Sequence, residues 1–145
     1  METDRTYLIG PGSTTAGIMA KLGLENTLLG VDVVRNGEVL ANDADEAMLL
    51  KLLAAAPAGA AIVVTVIGGQ GNVFGRGNQQ FSPEVIRRVG LDNILVVAAK
   101  SKIAALEGRP LLVDTNDPEL DRELSGWRTV ITGYEDRILY RVSSI

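Results

Sequence analysis

The apolar run AAIVVTVI, residues 60–67, constrains the fold of this chain more than any other segment. Its β-branched residues favour an extended strand, and its lack of polar alternation predicts a strand that is covered on both faces. Similar short runs alternate with helical patterns along the chain. The sequence therefore predicts an α/β domain with a largely parallel sheet, flanking helices and antiparallel hairpin additions.

Composition fits one compact domain and excludes several kinds of chemistry. The chain has 145 residues, 46% of them hydrophobic, and no repeat or low-complexity linker, so we expect a single domain over residues 1–145. Cysteine and histidine are both absent. Their absence excludes disulfides, thiolate or imidazole zinc sites, and Cys-His or Ser-His-Asp catalysis. Any metal would need oxygen ligands, and we assign no metal-binding residue.

The charge balance narrows the classes of partner. A net charge of −4, from 14 basic and 18 acidic residues, argues against a surface that holds nucleic acid or anionic lipid. No apolar run is long enough to cross a bilayer, and the N-terminus lacks the pattern of a secretion signal. We expect a cytoplasmic protein that binds a small molecule, with no nucleic-acid or membrane partner.

Two segments predict β-hairpins. Asn36-Gly37 separates two extended apolar runs, residues 27–35 and 38–41, and favours a type I′ turn. Near the C-terminus, residues 129–134 and 137–142 alternate around an acidic turn. We expect this second hairpin to close one edge of the sheet.

Two other segments predict capped helices. Asp43 with Glu46 three residues later resembles a capping box ahead of a helix over residues 47–56. Ser82 stands before a proline and a glutamate, which predicts the N-cap of a short helix ending near Gly90.

The first candidate site is the turn GPGSTT, residues 10–15, which lies between a predicted strand and a predicted helix. Glycine lets the backbone turn with its N–H groups exposed, and the start of a helix carries partial positive charge. We expect Gly12, Ser13 and Thr14 to bind a phosphate. The alternative is a tight turn with a helix N-cap and no ligand.

The second candidate is a glycine-rich loop over residues 68–80, GGQGNVFGRGNQQ. Ordering so many glycines is entropically costly, which favours close approach of the backbone to a ligand. The loop follows a strand, as the first candidate does, so both are expected at one edge of the sheet. The alternative is a flexible loop or an oligomer contact. We expect the nucleotide-binding residues to be Gly68, Gly69, Gln70, Gly71, Arg76 and Asn78.

Acidic residues form a third, weaker candidate. Asp114, Asp117 and Asp121 surround a predicted turn, where carboxylates bind magnesium or accept a proton in many phosphate sites. Pro118 indicates the start of a helix, however, which makes Asp117 a helix cap in the alternative interpretation. Asp32 stands between two valines in a predicted strand, where a buried carboxylate requires a partner.

Several strings together resemble one protein family. They are IGPGSTT, LLGVDVV, IGGQG, FGRGNQQ, VDT and TGY, and they extend from about residue 7 to residue 142. In this order they resemble the C-terminal domain of the ATP-NAD kinase-like family, also called AcoX-like, which are ATP- or polyphosphate-dependent NAD kinases.

The resemblance implies a fold of the NAD kinase and diacylglycerol kinase superfamily, with NAD and ATP or polyphosphate as substrates and Mg²⁺ in the complete enzyme. It implies that the segment VTVIGGQG, residues 64–71, stands where NAD kinases carry an NAD-contacting TPTGSTAY-like segment. Asp32 is the expected ribose contact. It also implies a homo-oligomer.

The family's GGDG motif belongs to an N-terminal domain, and this chain contains no GGDG. We therefore interpret the chain as a C-terminal piece of a longer protein. We expect it to be inactive without its N-terminal kinase domain, and we assign no catalytic residue.

The leading hypothesis is the NAD-binding half of a kinase that phosphorylates the 2′-hydroxyl of the NAD adenosine ribose to make NADP. A non-catalytic sensor of a phosphorylated metabolite is the first alternative. A sugar-phosphate isomerase-like enzyme is the second, because such enzymes also bind phosphate at a strand-turn-helix. A purely structural oligomerisation domain is the third, and it leaves both glycine-rich segments unexplained.

Overall fold

The computed structural model describes residues 2–24, 30–75, 77–133 and 135–144, in which nine strands form one sheet flanked by five α-helices. The strands are β1 (Thr6–Ile9), β2 (Asp32–Arg35), β3 (Glu38–Ala41), β4 (Ala60–Thr65), β5 (Asn72–Phe74), β6 (Ile94–Val97), β7 (Leu111–Val113), β8 (Gly126–Gly133) and β9 (Asp136–Ser144). The helices are α1 (Ser13–Lys21), α2 (Glu46–Ala54), α3 (Pro83–Val89), α4 (Lys100–Ala105) and α5 (Pro118–Leu124). This architecture confirms the predicted fold class. None of the helices in these ranges has the length and apolar character that a membrane span requires.

The sheet order is β3-β2-β1-β4-β6-β8-β9-β7-β5. β1, β4, β6 and β8 are parallel neighbours, so their carboxyl ends share one edge. β9 runs antiparallel to β8, and β7 and β5 run parallel to β9. Apart from β2 and β3, which form an antiparallel hairpin beside β1, the sheet thus consists of two parallel groups of opposite direction, joined between β8 and β9.

The sheet curls so that β5, at one end of the strand order, meets the chain just beyond β4. Ile67, two residues beyond β4, exchanges two backbone hydrogen bonds with Asn72 of β5, at 2.7 and 3.2 Å. In the sheet order, β6, β8, β9 and β7 stand between β4 and β5. The bridge therefore closes these six strands into a ring.

The C-terminal hairpin forms, but the prediction that it closes one edge of the sheet is wrong. β8 and β9 pair with each other, yet β8 also pairs with β6 and β9 also pairs with β7. Leu111 lies opposite Val142 in that last pairing. Both hairpin strands are therefore internal, because they connect the two parallel groups.

Both faces of β4 are covered, as its composition predicts. All six of its residues are buried. Ile62 packs in a core cluster with Leu49 of α2 and Ile86 of α3, whereas Val63 packs in a second cluster with Met19 of α1. A strand between two apolar layers has no solvated face, which explains the absence of polar alternation.

Two local predictions are confirmed. Asn36 and Gly37 have φ values of 53° and 73°, the pair of positive values that a type I′ turn requires. Ser82 is the N-cap of α3 and accepts a hydrogen bond from the Val85 N–H at 3.3 Å. The predicted strand before the hairpin begins at Asp32, and residues 27–29 lie outside the described part of the chain.

The predicted capping box at Asp43 is wrong. The N-cap of α2 is Asp45, whose carboxylate accepts a hydrogen bond from the Met48 N–H at 2.9 Å. Asp43 has a positive φ of 50°, whereas an N-cap has an extended backbone. Its N–H instead donates to the carboxylate of Asp32 at 3.0 Å.

Candidate functional site

Two of the predicted segments meet at the shared edge of β1 and β4. These strands are parallel neighbours with Ile9 opposite Val63, and the Gly10 N–H donates to the Val63 carbonyl at 2.8 Å. Residues 10–15 follow β1, and residues 66–71 follow β4. Both candidate segments therefore leave the sheet side by side, which is where α/β folds place ligands.

The turn after β1 presents the start of α1 with an unusual backbone. Gly12 is the N-cap and has a φ of 132°, and a Cβ there would lie 2.4 Å from the Thr65 Cγ2. The Thr15 hydroxyl donates inward to the Gly10 carbonyl at 2.7 Å. No side chain caps the helix. The first-turn N–H groups, including those of Ser13 and Thr14, are thus left for another acceptor.

The segment after β4 is a short connection with an exposed tip. We call Gly68, Gly69 and Gln70 the tip, and all three are exposed. A Cβ added at Gly68 or Gly69 would meet nothing within 4 Å. Gly71 is different, because it is buried and a Cβ there would lie 2.9 Å from the Leu106 Cδ2. The tip offers open backbone to a ligand, whereas Gly71 is occupied by packing.

The prediction of one continuous loop over residues 68–80 is wrong, because β5 divides it. Asn72 is held on both sides, by the bridge to Ile67 and by its pairing with Leu112 of β7. These contacts order residues 72–74 as a strand. The glycine-rich stretch is thus divided into the tip and a second loop over residues 75–81. Arg76 in the second loop lies outside the described residues.

Asn78 braces the second loop from within. Its side chain is buried with 1% exposure. The amide nitrogen donates to the Val73 carbonyl at 2.7 Å, and the amide oxygen accepts from the Gly75 N–H at 3.1 Å. The side chain therefore links the loop to the strand before it. A nucleotide contact by Asn78 stays a prediction.

The second loop returns to the edge of β1 and β4. The Phe81 ring lies 3.1 Å from where a Cβ on Gly10 would stand, and it contacts Phe74 edge to face at 6.0 Å. Gly77 stands beside Ile67, because a Cβ on Gly77 would lie 3.5 Å from the Ile67 Cγ2. The turn after β1, the tip and the second loop thus converge on one area of the surface.

Asp32 also lies near this area, but its side chain is enclosed. It lies opposite Ile9 in the pairing of β1 with β2. Ile9 is the residue that precedes Gly10 in the first candidate segment. Its exposure is 0%, and its carboxylate accepts the Asp43 N–H. The side chain therefore helps to fix the connection between β3 and α2. A ribose contact by Asp32 stays a prediction.

Two of the three clustered aspartates have structural partners. Asp117 is the N-cap of α5 and forms an ion pair with Arg87 at 3.2 Å. The Leu120 N–H and then Arg87 stabilise its ionised form and lower the pKa of Asp117 below its usual value. Asp121 is buried and accepts the Thr115 hydroxyl at 2.7 Å.

Asp114 differs from these two aspartates, because it is exposed and its carboxylate has no hydrogen bond or ion pair with a described residue. Within the described ranges, no three acidic side chains gather in the way that a metal ion requires. Of the three aspartates, Asp117 and Asp121 therefore stabilise the fold, and only the Asp114 carboxylate is open to a ligand.

Sequence reasoning missed Lys100. It is the first residue of α4, three residues beyond the end of β6, which is the next strand after β4 at the same edge. Its ammonium group pairs with Asp136 at 2.5 Å and lowers the pKa of that carboxyl group. A lone lysine in a short helix carries no motif, so only the strand order shows that it lies at this edge of the sheet.

One comparison with known proteins gives a match. A family model described as ATP-NAD kinase C-terminal domain matches residues 2–142. The search of curated proteins and the search of solved structures returned no match.

Proposed function

The chain belongs to the family of ATP-NAD kinase C-terminal domains, and on that premise we propose that it is the NAD-binding domain of an NAD kinase of the AcoX-like branch. The observation that carries the proposal is the meeting of an uncapped helix start and an exposed glycine tip at one sheet edge. A dinucleotide needs both a phosphate site and open surface beside it.

The proposed phosphate site is the start of α1. Gly12, Ser13 and Thr14 supply backbone N–H groups and two hydroxyls, and the nine-residue helix adds the positive end of its dipole. Because the Thr15 hydroxyl is already engaged with the Gly10 carbonyl, it holds the turn rather than the ligand. This division of roles keeps the donors fixed before a phosphate arrives.

The proposed nucleoside contacts come from the tip and the second loop. Gly68 and Gly69 allow close approach, and the Gln70 amide can donate to and accept from a base or a carboxamide. We assign Arg76 to a phosphate, because a guanidinium binds phosphate in bidentate geometry. We assign Gly71 and Asn78 to the same site, where Gly71 permits close packing and Asn78 orders the second loop.

In the complete kinase, the 2′-hydroxyl oxygen of the NAD adenosine ribose attacks the γ-phosphorus of ATP, or a terminal phosphorus of polyphosphate. The bond between that phosphorus and its bridging oxygen breaks, and the hydroxyl proton passes to a base. No residue of this chain is assigned as that base. We propose that this chain alone, which lacks GGDG, binds NAD without phosphorylating it.

The complete reaction would use Mg²⁺ to neutralise the phosphates. The described residues bring no three acidic side chains together, and we assign no magnesium ligand among them. We further propose a cytoplasmic homo-oligomer whose partner is an N-terminal kinase domain.

A second candidate function is a non-catalytic sensor of a phosphorylated metabolite. It uses the same two glycine-rich segments, and a binding module needs no catalytic aspartate. The two functions differ in one respect. An added N-terminal kinase domain restores NADP formation only if the chain is part of a kinase.

Calorimetric titration of the chain with NAD, NADP, ATP and ribose 5-phosphate tests the proposal. The informative variant is Gly68→Val, and its matched control is Gly108→Val. Both glycines have positive φ, 72° and 84°, and both face open space. The two substitutions thus introduce the same backbone strain, and only one of them lies at the site.

We expect NAD or NADP to bind the wild-type chain and the control equally, and to bind Gly68→Val at least tenfold more weakly. Arg76→Ala is expected to weaken binding as well. Equal binding of NAD to both glycine variants would overturn the site. Binding of ribose 5-phosphate alone would favour the sugar-phosphate alternative.

A further inference from the structure

A cavity of about 270 Å³ lies beside the candidate site, between the second loop and the turn after β7. β5 and β7 are parallel neighbours, and the Asp114 N–H donates to the Phe74 carbonyl at 3.1 Å just beyond their ends. Carboxyl ends of adjacent parallel strands are a common location of ligand sites. The cavity therefore has the position of a ligand site, and the phosphate and tip contacts leave it unused.

The floor of the cavity is a contact that only glycine permits. A Cβ on Gly75 would lie 2.1 Å from the Asp114 carbonyl oxygen, and the φ of Gly75 is 112°. The two walls therefore touch at their base and separate above it. Packing this close fixes the spacing between the second loop and the turn after β7.

One wall of the cavity is the second loop and the other is the turn after β7. Each is stabilised by the hydrogen bonds of a buried polar side chain. Asn78 links the Gly75 N–H to the Val73 carbonyl in one wall. In the other wall, Asp121 accepts both the N–H and the hydroxyl of Thr115, at 2.9 and 2.7 Å. Walls that are fixed in the free protein lose little entropy when a ligand binds.

Three lining side chains keep their polar groups open. Gln79, Asp114 and Asn116 line the cavity, and none of the three side chains bonds to a described residue. Together they present one carboxylate and two carboxamides. Phe81 and Pro83 add apolar lining.

The described groups that line the cavity disfavour phosphate and a metal ion. The described lining residues include a carboxylate and no cation, so an anionic group would be repelled. A single carboxylate is also a weak basis for a divalent cation site. A sugar ring fits better, because its hydroxyls donate to carboxylate oxygens and accept from amide N–H groups.

We propose that this cavity binds the vicinal hydroxyls of a ribose ring, with Asp114 as the acceptor and Gln79 and Asn116 as flanking partners. The volume suits one sugar ring and excludes a whole dinucleotide. In so far as the ribose belongs to the nucleotide bound at Gly12, the proposal rests on the proposed function. Phe81 connects the two places, since it contacts Gly10 and lines the cavity.

The test compares two probes by NMR titration of the isotope-labelled chain. Adenosine carries the 2′,3′-diol, and 2′,3′-dideoxyadenosine lacks it. The variant is Asp114→Asn, which keeps the shape and removes the charge. Its control is Asp92→Asn, an exposed aspartate just before β6 that does not line the cavity.

We expect adenosine to shift the amide signals of Gln79, Asp114 and Asn116. Dideoxyadenosine is expected to bind about tenfold more weakly or not at all. Asp114→Asn should reduce adenosine affinity by about tenfold, and Asp92→Asn should leave it unchanged. These results together would support the proposal.

Equal binding of both probes, or adenosine shifts confined to residues away from the cavity, would overturn it. If NAD still binds at the tip in that case, the proposed function survives the loss of this inference. If the cavity binds adenosine through the diol while NAD binds nowhere, the cavity proposal stands and the kinase assignment fails.

Discussion

The exposed tip and the second loop share one glycine-rich stretch, yet their glycines perform different tasks. At Gly68 and Gly69 an added Cβ would meet no atom within 4 Å. At Gly75 it would lie 2.1 Å from a backbone oxygen, and at Gly71 it would lie 2.9 Å from a leucine methyl group. The tip has free backbone, whereas Gly71 and Gly75 permit close packing of the chain on itself.

This difference changes how a glycine-rich motif is interpreted. The entropic cost of ordering glycine is offset at Gly71 and Gly75 by contacts within the protein, so no ligand is needed to explain them. Only at the tip does the entropic cost of ordering glycine still favour a bound ligand. A glycine substitution that tests ligand binding must therefore be made at the tip, since substitution of Gly71 or Gly75 changes the fold first.

The largest effect should come from Gly75→Ala. The new Cβ would overlap the Asp114 carbonyl oxygen, and the residue would be held at a positive φ of 112°. We expect a loss of at least about 3 kcal/mol in the free energy of unfolding. Urea denaturation measures it, with Gly69→Ala as the control, expected within about 0.5 kcal/mol of wild type. Similar losses in both variants would remove the distinction between tip and second loop.

The next largest effect should come from Asn78→Ala. The substitution leaves the Gly75 N–H and the Val73 carbonyl without their buried partner. We expect a loss of about 2 kcal/mol in the free energy of unfolding. Gln79→Ala is the matched control, because it removes the adjacent exposed carboxamide, and its stability should be nearly that of wild type. A stable Asn78→Ala protein would show that the loop needs no internal brace.

A smaller effect is expected for Gly68→Ala. Its φ of 72° is unfavourable for alanine, but the space around it is open. Strain alone should cost about 1 kcal/mol, which lies between the values for Gly69→Ala and Gly75→Ala. Thermal unfolding of the three variants under one condition gives this order. A Gly68→Ala loss as large as that of Gly75→Ala would indicate contacts at the tip.

The smallest effect is the pH dependence of stability that Asp117 contributes. This residue lies in the turn after β7, which faces the second loop. The folded pKa of Asp117 is lowered by the Leu120 N–H and by Arg87. The carboxylate therefore stabilises the fold above its unfolded pKa, near 3.8, and this contribution disappears as the pH falls through the lower folded value. Asp117→Asn should lower the melting temperature at pH 7, and the difference from wild type should shrink as the pH falls below 3.8. A difference that is constant with pH would exclude this role of the charge.

Much of the local structure could be predicted from the sequence. The Asn36-Gly37 turn, the Ser82 cap and the doubly covered strand β4 all form as their residues indicate. Each depends on backbone preferences and hydrogen bonds between residues close in the chain. The Asp43 cap failed for a related reason. Two aspartates stood near the helix start, and only the backbone conformation distinguished between them.

The sequence by itself determined the class of the fold, the kinds of chemistry that a chain without cysteine or histidine excludes, and the position of glycine and hydroxyl residues after two strands. Only the tertiary structure decided that Ile67 and Asn72 close the sheet, that Gly75 touches Asp114, and that Lys100 pairs with Asp136. The physical reason is the range of the interactions. Local preferences are fixed by neighbouring residues, whereas contacts between distant segments depend on how the whole apolar surface is buried at once.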